Sequence, residues 1–331
     1  MPSTIVILGT GGTIAGTASQ AGDNVGYTAA QRSVADLLAA LPMLTPLPAL
    51  APLPALAILP AFGPPARAAI EAEQVAQIDS KDIDNALWQR LAQRVAHHLA
   101  RPQVQGIVIT HGTDTLEETA WLLQRVLAPR KPVVLVAAMR PATALAADGP
   151  QNLLDAVAVA RTHGAQGVLA VLAGRVHAAA AVRKVHTYRP DAFDSGDGGP
   201  LGVVEEGVLR RFADWPSGPA LGLSVLHSDP ASWPWVEIIT SHGGARPDAV
   251  RALCHAGVRG LVLAATGNGT VHSALQGALD DARAAGVVVW RCTRCAGGVL
   301  VGAEPGPAAA LSPWQARVEL LLSLLAGGRA G

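Results

Sequence analysis

Four short runs rich in Val, Ile and Leu set the limits on this fold: TIVILGT (4–10), GIVIT (106–110), PVVLVAA (132–138) and GVLAVLA (167–173). None alternates apolar with polar residues, so each reads as a strand buried on both faces. Longer segments with helical spacing lie near 83–100, 114–128 and 148–163. The first begins after Asp82; the second has Asp114 at its cap and Glu117 and Glu118 in its first turn, where the helix dipole favours acids. Strand and helix alternating in this way predict parallel βαβ construction.

A second series follows, with strands expected at ALGLSVLH (220–227), GLVLAAT (260–266) and GVVVWRCT (286–293), and helices near 247–256, 272–285 and 312–326. Between the two series, EEGVLRRFADWPSGPA (205–220) mixes charge with Pro and Gly, as junctions do. The expected architecture is α/β throughout. A larger N-terminal domain over 1–208 carries a mostly parallel sheet flanked by helices, 209–220 is a linker, and 221–331 forms a smaller α/β domain with a parallel sheet. One stretch fits neither series: 42–65 is almost wholly Ala, Leu and Pro. Proline at this density excludes helix interior and central strand, leaving an extended connection.

Two strand ends carry unusual spelling, LGTGGTIAG (8–16) and ITHGTDTLEETA (109–120). A dinucleotide turn starting at Gly9 would need its third glycine at Ile14, and a phosphate loop spaced on Gly11 and Gly16 would need lysine at Thr17. Both readings fail. What remains is a strand presenting Thr10 or Thr13 at its carboxyl edge, where ligands of open α/β sheets bind. Flanking glycines let backbone N–H groups approach a ligand oxygen, as an oxyanion hole requires. An ordinary turn, with threonine bonded to its own backbone, is the plainer alternative.

The second strand end adds His111 and Asp114. His111 reads either as an acid–base group or as a packed residue orienting the turn, and Asp114 either as a cap or as part of a site. A threonine hydroxyl attacks only when something takes its proton. Tyr27, in the Gly/Asp/Asn-rich loop SQAGDNVGYTAA, and Lys184, in AVRKVHT, are the candidates. Such a loop has the composition of a mobile lid. Each residue also fits an ordinary surface position.

Other chemistry is poorly supported. Cys292 and Cys295 form a C-x-x-C after a strand, but only Cys254 remains to complete a zinc site, so two reduced thiols are expected. Neither H-E-x-x-H nor G-x-S-x-G occurs. Lys+Arg and Asp+Glu both number 25, so no net field draws the chain to nucleic acid or an anionic membrane. No apolar run reaches the ~18 residues of a membrane helix, and the N-terminus lacks a basic leader. The expected location is the cytoplasm.

Together, LGTGGTIAG and ITHGTDTLEETA resemble the two signature segments of bacterial-type L-asparaginases, the asparaginase/glutaminase family. The likeness continues through DSKDID (79–84), PVVLVAAMRPATALAADGPQNLLDAV (132–157), RKVHT (183–187) and ATGNGT (265–270). The resemblance implies hydrolysis of L-asparagine to L-aspartate and ammonia through a threonine nucleophile and an acyl-enzyme, without metal or cofactor. Carried onto matching positions, Thr13 is the nucleophile and Tyr27 the lid residue that activates it. Thr113, Asp114 and Lys184 form a second group, with Lys184 easing proton removal from Thr113 or its water. Ser80 and Asp114 grip the substrate's carboxylate and amine. Gly12 and Gly112 let the main chain crowd a small amino acid, and the Thr113 N–H and the Ala138 carbonyl surround the amide.

The resemblance also has departures. Lys81 stands where many relatives have glutamine, which bears on selectivity. Asn268 is present, but Thr270 stands where the better-studied members of the family have an asparagine, and Glu304 is the expected downstream acid. In the family those C-terminal groups serve a neighbouring subunit, which implies a homotetramer built as a dimer of dimers. Rival readings are a glutaminase-asparaginase, an amidotransferase-type amidase, and a non-catalytic amino-acid sensor on the same fold.

Overall fold

The computed structural model describes residues 3–41, 44, 69–302 and 306–327. Apart from Leu44, the Ala/Leu/Pro-rich segment 42–65 lies outside the described residues, as does Glu304.

The first strand, β1 (Thr4–Gly11), ends in a short 3-10 turn over Thr13–Ala15, and a small hairpin follows from β2 (Thr17–Ala18) and β3 (Tyr27–Thr28). Then come α1 (Val34–Ala39), β4 (Ala69–Ile78), α2 (Asn85–Leu99), β5 (Val104–Thr110), α3 (Leu116–Leu127), β6 (Pro132–Val136), α4 (Gly149–Arg161) and β7 (Gly167–Leu172). The chain continues through β8 (Arg175–Ala178), β9 (Arg183–Lys184), β10 (Phe193–Asp194), β11 (Gly202–Glu205) and β12 (Val208–Arg211). Eight of these strands form one sheet in the order β12-β11-β8-β7-β6-β5-β1-β4. Strands β4, β1, β5, β6 and β7 run parallel, and the other three add antiparallel at one edge.

Every residue of β1, β6 and β7 is buried, which is why these strands lack alternation. Val6, Leu8, Ile107 and Ile109 face the side covered by α2 and α3. Ile5, Ile7 and Val108 face the side where Leu153 and Val157 of α4 and Leu37 of α1 pack. One sheet thus separates two cores, and its carboxyl edge is left to the turns.

The C-terminal part holds β13 (Val236–Thr240), α5 (Asp248–His255), β14 (Gly260–Ala265), α6 (Ser273–Ala284), β15 (Val288–Thr293) and α7 (Pro313–Leu325). Its three strands pair in parallel. Residues Leu223–Leu226, expected as a strand, form a 3-10 turn. Just before them, Leu221 and Gly222 donate backbone N–H groups to the carbonyls of Arg125 and Val126 at the end of α3, so this stretch bonds to a helix terminus rather than to a sheet. Helix α7 packs against both α3 and the second sheet, and Leu320 and Leu322 share a core with Leu122 and Trp290. Ion pairs between Arg125 and Glu319 (2.8 Å) and between Arg317 and Glu118 (2.6 Å) fix α7 to α3. Among the described residues no helix is long and apolar enough to cross a membrane.

Candidate active site

The carboxyl ends of β1 and β5 touch. Gly12 adopts φ +81°, and a Cβ added there would overlap the backbone of His111 and Gly112, so the two turns approach as only glycines allow. Thr10 donates its hydroxyl to the carbonyl of Thr110 at 2.8 Å, which fastens one strand end to the other. Thr10 is therefore committed to structure, and of the pair suggested by the sequence only Thr13 keeps its hydroxyl for the site.

Thr13 Oγ1 shares a hydrogen bond of 2.7 Å with the phenolic oxygen of Tyr27. The β2–β3 hairpin brings the two together across fourteen positions. Gly16 is the permissive residue: a Cβ there would sit 2.9 Å from the Tyr27 ring and 3.0 Å from the Thr13 carbonyl. The glycines of LGTGGTIAG thus make room for another turn and for an aromatic ring.

On the other side of the Gly12–Gly112 contact, Lys184 Nζ donates to Thr113 Oγ1 at 2.9 Å and to Asp114 Oδ1 at 2.5 Å. Asp114 does not cap α3. Thr115 stands at the cap but makes no side-chain cap bond, its hydroxyl going to the Ser80 carbonyl, and the Asp114 carboxylate is taken by Lys184. Similarly, α2 is capped by Asp84, which accepts from Leu87 N, rather than starting directly after Asp82. The Thr113 backbone N–H has no hydrogen-bond partner among the described residues.

Ser80 is buried, and its Oγ accepts the Asp114 N–H at 3.3 Å while its carbonyl accepts the Thr115 hydroxyl at 2.9 Å. The loop bearing Ala138 is held on both sides. Asn152 Nδ2 donates to the Ala137 carbonyl at 2.9 Å, and the Asp148 carboxylate accepts the N–H groups of Met139 and Arg140. Ala138 and Ile14 both border Gly149, which places the end of β6 beside the turn carrying Thr13.

Several other sequence-derived candidates make contacts of a different kind. Lys81 is exposed and pairs with its neighbour Asp82, which raises the lysine's pKa. Asn268 is spent on the backbone of Val301, donating at 2.9 Å and accepting at 2.7 Å. Thr270 shares hydrogen bonds with Thr266. His111 is buried, donates Nδ1–H to the Gly112 carbonyl at 2.7 Å, and burial pushes its pKa down to about 4. It is neutral at physiological pH and orients the turn. Cys292 is buried with its thiol pushed up to about 12, and Cys295 is exposed; both are free.

The sequence reading missed one residue close to these groups. Glu117 is buried in α3, and its carboxylate accepts the backbone N–H of Lys184 at 3.1 Å. The available signal was a carboxylate sharing a helix face with the buried Ala120 and Gln124.

The sheet edge thus presents two threonine hydroxyls, one bonded to a tyrosine and the other to a lysine, the kind of pairing that hydroxyl-based hydrolases use. Residues 4–216 match the family model for the asparaginase N-terminal domain, and 235–329 match that for the glutaminase/asparaginase C-terminal domain. The chain is 36% identical to a glutaminase-asparaginase of Pseudomonas fluorescens biotype A, over 97% of this chain and 86% of the relative. It is also 36% identical to L-asparaginase 2 of Bacillus subtilis, over 97% and 82%. The solved structure of a "probable cytoplasmic L-asparaginase" from Campylobacter jejuni superposes with a TM-score of 0.84 at 34% identity, covering 97% of this chain and 95% of that one. The chain belongs to the asparaginase family.

Proposed function

We propose that this asparaginase-family amidohydrolase cleaves the side-chain amide of L-asparagine through an ester on Thr13. The observation that carries the reading is the 2.7 Å contact between Thr13 and Tyr27 at the end of β1. Thr13 Oγ1 forms a bond to the carboxamide carbon while its proton passes through Tyr27 to the departing nitrogen, and ammonia leaves. Water then attacks the ester, returns a proton to Thr13 Oγ1, and releases aspartate. The Thr113 N–H stabilises the oxyanion in both steps. Thr113, Lys184 and Asp114 orient the attacking water and carry its proton. Ser80 and Asp114 receive the substrate's charged α-groups.

The relatives carry both asparaginase and glutaminase-asparaginase names, and we take L-asparagine as the principal substrate and L-glutamine as the secondary one. We also place the protein in the cytoplasm, in line with the name of the Campylobacter jejuni structure, and infer a homotetramer. The last reading rests on the family resemblance alone, since Asn268 and Thr270 make their hydrogen bonds within their own domain. In a dimer of dimers that domain borders a neighbouring site. Ammonia release from L-asparagine, L-glutamine and D-asparagine, measured side by side for wild type and Thr13→Ala, tests the activity. Wild type should favour L-asparagine and Thr13→Ala should be inactive; wild-type turnover by Thr13→Ala would remove the nucleophile.

A further inference from the structure

Glu117 lies at the second position of α3, within the turn that follows Thr113 and Asp114, and is 4% exposed. Its two carboxylate oxygens serve different parts of the molecule. One accepts the Lys184 backbone N–H at 3.1 Å, across 67 positions, and the other accepts the Ser312 hydroxyl at 3.3 Å, across 195. Ser312 caps α7 in a capping box with Gln315. From the same helix start, Gln315 Nε2 donates to the carbonyls of Ala179 (3.0 Å) and Val182 (3.4 Å), just before β9. Arg183 donates to the carbonyls of Ala296 (2.9 Å) and Ala310 (3.2 Å). The main chain at Lys184 is therefore held by α3, by α7 and through its neighbour Arg183.

We propose that Glu117 is a positioning residue: it fixes the Lys184 backbone so that the ammonium meets Thr113 and Asp114, and it ties that alignment to the seating of α7. The inference rests on the reading that Lys184 serves Thr113 in hydrolysis. Glu117 at the start of α3 and the two groups that Lys184 must reach, on the turn just before that helix, lie within five consecutive residues, 113–117. Anchoring both ends of the lysine to one rigid element limits errors in its reach, and displacements on the order of 1 Å cost up to about a hundredfold in rate.

The charges around Glu117 give a second readout. Burial raises its pKa to about 7, Glu118 on the same helix adds to that, and the Lys184 N–H, Ser312 and Arg183 oppose it. Arg317 of α7 is engaged by Glu118. When ionised, the carboxylate accepts both bonds; when protonated, one oxygen becomes a donor and the grip loosens. Glutamine keeps an acceptor for the Lys184 N–H but cannot titrate.

The test uses full-length Glu117→Ala, Glu117→Gln and Lys184→Met in ammonia-release assays with L-asparagine between about pH 5 and 9. Glu117→Ala should lower kcat by about tenfold or more with KM within about twofold. Glu117→Gln should stay within about threefold of wild type at neutral pH and should lose the decline in activity that wild type is expected to show as pH falls below about 7. If Lys184→Met is inactive while Glu117→Ala turns over like wild type, the positioning role is overturned. If Lys184→Met itself retains wild-type kcat, the underlying assignment of the lysine fails instead. Should Glu117→Ala not fold, the Glu117→Gln profile decides, and an unchanged acid limb overturns the proposal.

Discussion

Lys184 Nζ lies 2.9 Å from Thr113 Oγ1 although 71 positions separate the two residues. The lysine sits on a two-residue strand pairing with Phe193, and the threonine on the turn between β5 and α3. Neither local segment dictates the meeting; Glu117 at the start of α3, which accepts the Lys184 backbone N–H, brings the two together. If the pair acts as a unit, Thr113→Val and Lys184→Met should each reduce kcat by about a hundredfold or more, and the double variant should be no slower than the worse single. Steady-state kinetics on the three variants checks this, and simply multiplying losses would contradict it.

Gly12 offers a test of the turn contact. Alanine there must tolerate φ +81° and displace the backbone of Gly112, so Gly12→Ala should both destabilise the fold and separate the two strand ends. The expected loss is on the order of 1–3 kcal/mol for the strained conformation alone, read by urea denaturation. Activity should fall by more than the folded fraction explains. A variant with wild-type stability and turnover would show that the close approach is dispensable.

Much of this site was legible because its spelling is local. Thr13, the glycines around it and Tyr27 lie within a short stretch, and a strand ending in Gly and Thr restricts what the turn can be. Asp114 read locally as either a helix cap or part of a site, and only the family resemblance grouped it with Thr113 and Lys184, because the lysine arrives from a distant strand. Glu117 was hidden for the same reason: both of its partners are remote in sequence, and an acid in the first turn of a helix already has a sufficient local explanation. The run at 220–227 misled because a short apolar segment fits a strand as well as a turn, and its partner proved to be the end of α3.

Buried histidines set the response to acid. Burial depresses both His111 and His177 to about 4 from 6.5, so each contributes stability above pH 6.5 that is lost as pH falls through 4. Each accounts for roughly 3 kcal/mol across that window. Glu117 acts oppositely, because its raised pKa makes the folded state relatively more stable below 4.5 than above 7. Unfolding free energy from urea titrations should therefore fall between pH 7 and 4, and fall more steeply in Glu117→Gln, which lacks the compensating carboxyl. Stability that rises on acidification would contradict these assignments.

The most direct measurement bears on Thr13. Enzyme quenched during turnover of L-asparagine, digested and examined by mass spectrometry, should carry an aspartyl ester on the peptide containing Thr13, and Thr13→Ala should carry none. An ester found on Thr113 instead, or no ester at all while ammonia is being released, would contradict the account.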